Sequence, residues 1–299
     1  MIKLIVSDLD GTLLTRFKSV SIGNQNALLE AQKRGVKVCI ATGRGYDSTH
    51  QFVPLLKLDH YGGFMVLNNG QRLRDIEAQT ETVNGLITVE DARTAFKFAQ
   101  EHKLQMVLDG EAGLAFYSPE DLKIYRNIYI FLIKLLPHFR FALGRIHIFA
   151  LFGFLKNQKV KIIEHEDDLI EPYDKIGFTH FKHHLDQASD DLNHVFNGRL
   201  EMMRVSDNWL DVSPKGITKV VGIYQVMKKL GLTEDEVMCL GDSENDVTML
   251  SSFHYSFAMG NADSKIKAIA NYSTASNKED GVAQAIHKFV LKDGQNERI

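Results

Sequence analysis

The strongest constraint on the fold is a short apolar run that ends in acid: residues 2–6 lead directly into Ser7-Asp8-Leu9-Asp10-Gly11. Four or five apolar residues bounded by turn formers suit a strand covered on both faces, because a half-exposed strand would alternate. The construction recurs. Residues 36–41 close on Thr42-Gly43-Arg44-Gly45, 63–67 on Asn68-Asn69-Gly70, 237–240 on Gly241-Asp242-Ser243-Glu244-Asn245-Asp246, and 255–259 on Gly260-Asn261-Ala262. Helical spacing lies between them, at residues 21–33 ahead of Gly35, 46–56, 217–230 ahead of Gly231, and 246–251. Repeated strand and helix predict a doubly wound parallel α/β sheet with right-handed crossovers.

From about Val83 the rhythm changes. Residues 89–102 read as a helix, 104–108 and 114–117 as strands around Asp109-Gly110, and 121–136 as a helix stopped by Pro137. A strand near 175–180, a helix near 185–196 and strands at 199–206 and 209–212 follow, while 140–166 gives no assignment. A chain of 299 residues exceeds what one core usually organises. The expectation is therefore an α/β core made from residues 1–82 and 211–299, with a separate α+β unit, 83–210, inserted.

Composition narrows the class. Hydrophobic residues at 44% and charged residues at 24% are ordinary for a soluble globular protein, and a formal charge of -3 gives no basic balance that would attract nucleic acid. The two cysteines, Cys39 and Cys239, are too few for a disulfide scaffold; each sits in an apolar run and reads as a buried thiol in a reducing compartment. The first apolar run is too short for a signal peptide, and the longest, 124–155, is interrupted by Arg126, Lys134, Arg140 and Arg145. A membrane span needs ~18 uninterrupted apolar residues. The expected location is cytoplasmic, with no membrane or nucleic-acid partner.

Every chemically informative cluster falls at the carboxyl end of an expected parallel strand: Asp8/Asp10, Thr42/Gly43 and Asp242/Asn245/Asp246. Ligands bind open α/β sheets at that edge, because loops and helix N-termini converge there. One aspartate at a strand end is ordinarily a helix cap. Asp8 and Asp10 with Asp242 beside them would repel without structural benefit unless a cation resides there, and oxygen ligands with no His or Cys nearby point to Mg²⁺. Thr42 and the amides after it offer donors to an anion while also suiting a helix cap.

DLDGTLL at 8–14, ATGR at 41–44, a lysine in SPKGITKVVG at 213–222 and GDSENDVTML at 241–250 together resemble the four motifs of the haloacid dehalogenase superfamily. The insertion between the second and third motifs, with AMGNADSKIKAIAN, EDGVAQAI, PYDKIGF and MRVSDNWLDVSPKG, resembles its Cof-type (capped, type IIB) phosphatases. The resemblance implies a Rossmann-like core with an inserted cap that selects substrate. It also implies a Mg²⁺-dependent phosphatase that acts on a small phosphorylated metabolite, a sugar phosphate or phosphorylated cofactor, as a monomer or homodimer. Asp8 would be the nucleophile and Asp10 the acid/base; the Asp10 carbonyl would join Asp8 and Asp242 as metal ligands. Thr42, the amides of Leu9 and Gly43, Asn245 and a lysine would hold the phosphoryl oxygens, with Asp246 behind them orienting metal waters or the lysine. Lys219 suits that role better than Lys215, because it opens the helix after Gly216-Ile217-Thr218.

Three features stay open on sequence. Arg44 either approaches substrate or pairs within the core. His180, His183 and His184 suggest a metal site but read better as a solvated helix start, and the aromatics of 121–165 read as core or as a pocket or dimer patch. Among rival functions, a phosphomutase stays open, since related members pass the phosphoryl group to another sugar hydroxyl and the Gly43-Arg44-Gly45 loop does not decide between them. A dehalogenase needs neither Mg²⁺ nor Asp10, an ion pump would need transmembrane helices, and a dinucleotide-binding dehydrogenase would need G-x-G-x-x-G, which GRGYDS fails. An inactive binding module would be expected to lose Asp8, Asp10 or Asp242, and all are present.

Overall fold

A computed structural model describes residues 1–122, 160–196 and 198–291. Contacts divide the chain into two compact units, residues 1–84 with 217–299, and residues 85–216. In the first, β1 (Leu4–Ser7), α1 (Ile22–Lys33), β2 (Lys37–Ala41), α2 (Phe52–Leu55), α3 (Leu58–Tyr61) and β3 (Phe64–Leu67) precede β4 (Arg72–Asp75) and β5 (Thr80–Val83). The second unit runs α4 (Val89–Glu101), β6 (Gln105–Gly110), β7 (Gly113–Tyr117), β8 (Val160–Ile162), β9 (Tyr173–Thr179), α5 (Lys182–Val195), β10 (Leu200–Ser206) and β11 (Trp209–Pro214). The chain then returns to the first unit as α6 (Lys219–Leu230), β12 (Val237–Gly241), α7 (Val247–Ser252), β13 (Tyr255–Ala258), α8 (Ser264–Lys267), β14 (Tyr272–Ser273) and α9 (Gly281–Ile286).

The first unit's sheet has the order β14-β13-β12-β1-β2-β3-β4-β5. Pairing is parallel as far as β3 and antiparallel at β3–β4 and β4–β5. β1 lies between β2 and β12, with Val6 opposite both Cys39 and Cys239. Its continuous apolar character now has a cause. Ile5 joins one core with Leu28, Ile40, Met238 and Ile286, while Leu4 and Val6 join another with Val66, Ile223 and Met249. Helices thus cover both faces: α1 and α9 one, α6 and α7 the other. Both thiols are free and buried, and burial pushes Cys39 up to about 12.

The second unit's sheet has the order β10-β11-β9-β6-β7-β8, antiparallel except at β7–β8. Its core sets Ala92, Phe96 and Ala99 of α4 and Leu185 and Leu192 of α5 against Met106, Leu108, Ile176 and Phe178. Mixed α+β structure in this unit is what the broken rhythm predicts.

Several boundaries differ from the sequence reading. The junctions fall at 84/85 and 216/217 rather than 82/83 and 210/211. All of β11 pairs with β10, and Trp209–Val212 also pairs with β9, so the strand belongs to the second sheet. The helix expected at 46–56 is a single 3-10 turn (Tyr46–Ser48) followed by two short helices, broken where Lys57 adopts φ 57°. The helix expected at 121–136 and most of the aromatic stretch lie outside the described residues. Among the described residues, no helix is long and apolar enough to cross a membrane.

Candidate active site

β1 ends at Ser7, so Asp8 is the first residue past the strand, and its amide still bonds the Leu240 carbonyl at 3.0 Å. The chain turns at once: Thr12 and Leu14 donate to the Leu9 carbonyl at 3.3 and 2.8 Å. Gly11 makes the turn at φ +84°, and a Cβ there would come within 2.1 Å of Asp242 Oδ2. Only glycine allows this backbone to lie against that carboxylate. On the neighbouring strand, a Cβ at Gly241 would meet the Asp246 side chain at 2.6 Å, so the second acidic loop folds equally tightly on itself.

The turns gather three carboxylates. One oxygen each from Asp8, Asp242 and Asp246 lies within 4.8 Å of the others. Lys219, the first residue of α6, is fully buried among them; its ammonium donates to Asp8 Oδ1 at 2.6 Å and Asp246 Oδ1 at 2.7 Å. Asp246 Oδ2 accepts from the amides of Asp242 and Ser243 at 2.9 and 3.1 Å, so Asp246 is committed on both oxygens to holding the loop and the lysine. Asp242 Oδ1 accepts from Thr12 Oγ1 at 2.7 Å. Asp8 Oδ2 is buried and, among the described residues, has no hydrogen-bond partner.

One ammonium against three carboxylates leaves two negative charges uncompensated, and the titration reflects it. Burial, with the charges of Asp246 and Asp242 adding to it, pushes Asp8 up to about 7 although Lys219 opposes the rise. Burial likewise raises Asp242 to about 6. Lys219 is held charged: burial opposes this, but Asp246 and Asp8 outweigh it. An orphaned buried oxygen, hard donors and an excess charge of two fit a divalent cation that prefers oxygen. Asp8 and Asp242 are the carboxylates with capacity for it.

Asp10 is separate from that cluster. Arg44 donates to it twice, Nε to Oδ2 at 2.6 Å and Nη2 to Oδ1 at 2.5 Å, and Lys18 Nζ donates to Oδ1 at 2.5 Å. Burial works to raise the Asp10 carboxyl, but these hydrogen bonds hold it below the usual carboxylate range. Arg44 therefore pairs within the core unit. Thr42 is buried just past β2, its hydroxyl accepting the Arg44 amide at 3.2 Å. A Cβ on Gly43 would stand 3.0 Å from Asn69 Oδ1, and that oxygen accepts from Asn245 Nδ2 at 3.0 Å.

The remaining candidates are elsewhere. Lys215 lies in the second unit, with its amide on the Arg199 carbonyl. His180 and His184 stack at 4.0 Å, His184 Nε2 meets the His102 carbonyl at 2.6 Å, and burial and the neighbouring His184 push His180 down to about 4. Among the described residues, no histidine joins a metal-capable cluster. Sequence reasoning missed Thr12, Asn69, Lys18 and Asn261, whose amide donates to the Gly11 carbonyl at 2.9 Å and Asp242 at 3.4 Å. Thr12, Asn69 and Asn261 share one signal, a place within a few residues of a strand end, whereas Lys18, on the hairpin beyond, carried none.

Comparison with known proteins agrees with this geometry. The family model of the haloacid dehalogenase-like hydrolases matches residues 5–286. The chain is 30% identical over 298 residues to the 5-amino-6-(5-phospho-D-ribitylamino)uracil phosphatase YcsE of Bacillus subtilis, covering 97% of this chain and 96% of that one. It is also 30% identical to a putative phosphatase of Streptococcus pyogenes, covering 97% and 99%. A haloacid dehalogenase-like hydrolase structure from Bacteroides thetaiotaomicron superposes with TM-score 0.76 at 24% identity over 96% of this chain and 99% of that chain. The chain belongs to the haloacid dehalogenase-like hydrolases. Within them it is a phosphatase, a hydrolase of phosphoric monoesters.

Proposed function

We propose that this phosphatase hydrolyses a small phosphorylated metabolite, with Mg²⁺ bound, through a phosphoryl group carried on Asp8. The reading rests above all on Asp8: one of its oxygens is fixed by Lys219 while the other is buried and, among the described residues, unpartnered. Asp8 and Asp242, with the Asp10 carbonyl, would hold the metal. When bound, Mg²⁺ supplies charge neutralisation for the carboxylates and for the phosphoryl oxygens.

The protein's own groups carry the rest. An Asp8 carboxylate oxygen attacks phosphorus, the bond from phosphorus to the ester oxygen breaks, and Asp10, which enters the step protonated against the pull of Arg44 and Lys18, gives that oxygen a proton. Water then attacks the same phosphorus, Asp10 takes its proton, and the Asp8–phosphorus bond breaks to release inorganic phosphate and restore both carboxyls. Lys219 keeps Asp8 oriented and, with Thr42, Asn245 and the amides of Leu9 and Gly43, surrounds the transferring group with donors. For Asn245 this requires exchanging its contact with Asn69. The second unit carries none of these groups, and to it we assign recognition of the non-reacting part of the substrate. The substrate class follows the relative whose name specifies a phosphorylated ribityl compound. Acid quench during the first turnover, followed by mass spectrometry, should find a phosphoryl adduct on the peptide containing Asp8. A burst of alcohol release with no such adduct would remove the covalent step, and full activity in excess chelator would remove the metal.

A further inference from the structure

Asp10 is gripped unevenly, and the unevenness comes from an exposed loop. Among the described residues its Oδ1 accepts two donors, Arg44 Nη2 and Lys18 Nζ, both at 2.5 Å, whereas Oδ2 accepts only Arg44 Nε at 2.6 Å. A carboxylate oxygen offers two lone-pair positions, so Oδ1 is saturated and Oδ2 keeps one free. Arg44 alone would treat the two oxygens alike; Lys18 makes them different.

Lys18 sits at the tip of a small hairpin after the first motif. Leu14 bridges Val20, the Thr15 amide donates to the Ser19 carbonyl at 2.9 Å, and the Lys18 amide donates to the Thr15 carbonyl at 2.9 Å. The tip holds Lys18 at φ 58°, a left-handed conformation that glycine adopts far more readily. A lysine kept there, with an otherwise solvent-exposed side chain folded back onto Asp10, is a local cost that an ordinary turn does not need.

We infer that Lys18 is a positioning residue: by saturating Oδ1 it leaves Oδ2 as the atom of Asp10 that exchanges a proton with the ester oxygen and then with water. This rests on the reading of Asp10 as the acid/base. Arg44 is the fixed part of the grip, bidentate and half-buried, and Lys18 is the part that sets which oxygen works.

Two substitutions test this without endangering the fold. Lys18→Gly suits the backbone at φ 58° better than lysine does, and Lys18→Arg keeps a cationic donor. Each is compared with wild type through kcat/KM on p-nitrophenyl phosphate, whose leaving group departs without help, and on the best alkyl monophosphate the wild-type chain turns over. General acid catalysis is worth roughly 10²–10⁴-fold, so partial misplacement of Asp10 should cost Lys18→Gly about tenfold on the alkyl ester and under about twofold on the aryl ester. Lys18→Arg should stay within about threefold of wild type on both. Equal losses on the two esters, no loss on either, or a Lys18→Arg variant as poor as Lys18→Gly would each overturn the assignment. Asp10→Asn is the control for the underlying reading: if its losses do not steepen with the alkyl leaving group, Asp10 is not the proton donor, whatever the Lys18 variants do.

Discussion

The charge imbalance around Asp8 should make the metal-free protein lose stability as pH rises through neutrality. The perturbation is pH alone, from 5 to 7.5, in chelator. Asp8 titrates from its ordinary 3.8 up to about 7 in the folded state because it is buried. Its folded pKa is therefore above its unfolded one, so the folded state binds more protons between those values and stability falls as pH rises through them. A gap of about three pH units at 1.36 kcal/mol each sets a ceiling of about 4 kcal/mol. From pH 5 upward roughly two of those units remain, about 3 kcal/mol. Asp242, raised to about 6, acts in the same direction, but its partial exposure lets solvent screen it. Mg²⁺ should reverse the trend, because a cation binds the deprotonated carboxylates and its stabilisation grows with pH. Calorimetry is the suitable assay: the one tryptophan, Trp209, belongs to the second unit and is a poor reporter of the first. Asp8→Asn should flatten the metal-free slope. A metal-free melting temperature that rises from pH 5 to 7.5, or a Mg²⁺-induced increase as large at pH 5 as at 7.5, would refute the argument.

Asp8→Asn should also abolish phosphate release from p-nitrophenyl phosphate while the circular dichroism spectrum stays that of wild type; more than a few per cent of residual activity in pure protein would count against Asp8 as nucleophile. Asp242→Asn should chiefly raise the Mg²⁺ concentration needed for half-maximal rate, by at least about tenfold, as loss of a metal-holding group typically does, and a metal titration identical to wild type would exclude Asp242 from the metal. Lys219→Met leaves Asp8 and Asp246 without their shared ammonium, so it should cost about 3–5 kcal/mol in denaturant unfolding at pH 7.5 and less at pH 5, where Asp8 is largely protonated. A pH-independent loss would mean that packing, not charge, is what Lys219 supplies.

The parallel part of the fold was legible because burial on both faces leaves a mark in sequence. Leu4, Ile5 and Val6 face opposite cores in turn and are all apolar, so a strand of such residues can only be central. The antiparallel edge was not legible. β5 is exposed along its whole length, and β4 carries Arg72 and Arg74, which pair with Glu81 on β5. Charged cross-strand pairs hold that hairpin, and charge gives no hydrophobic period to read. The site divides in the same way. Asp8, Asp242, Asp246 and Lys219 were visible because each lies at the end of a predictable strand or the start of a predictable helix. Lys18 and Arg44 were not visible as a pair, since 26 residues separate two ordinary-looking cations and only the tertiary turn brings both to Asp10.

β1 acquires its neighbours at very different times during synthesis. Its pairing with β2 spans about thirty residues, Val6 to Cys39, but its pairing with β12 joins Val6 to Cys239. On the ribosome, the whole of the second unit emerges between those two events. The N-terminal segment must therefore wait with one edge of its central strand unpaired and exposed to chance β-pairing, while the second unit, contiguous in sequence, is free to fold. Asp8 is synthesised well before Lys219, Asp242 and Asp246, the groups that surround it. A nascent chain consequently presents Asp8 without the lysine, carboxylates and glycine-tight loops that surround it in the folded unit, and the cluster is complete only when residues 219–246 close back on residues 8–12.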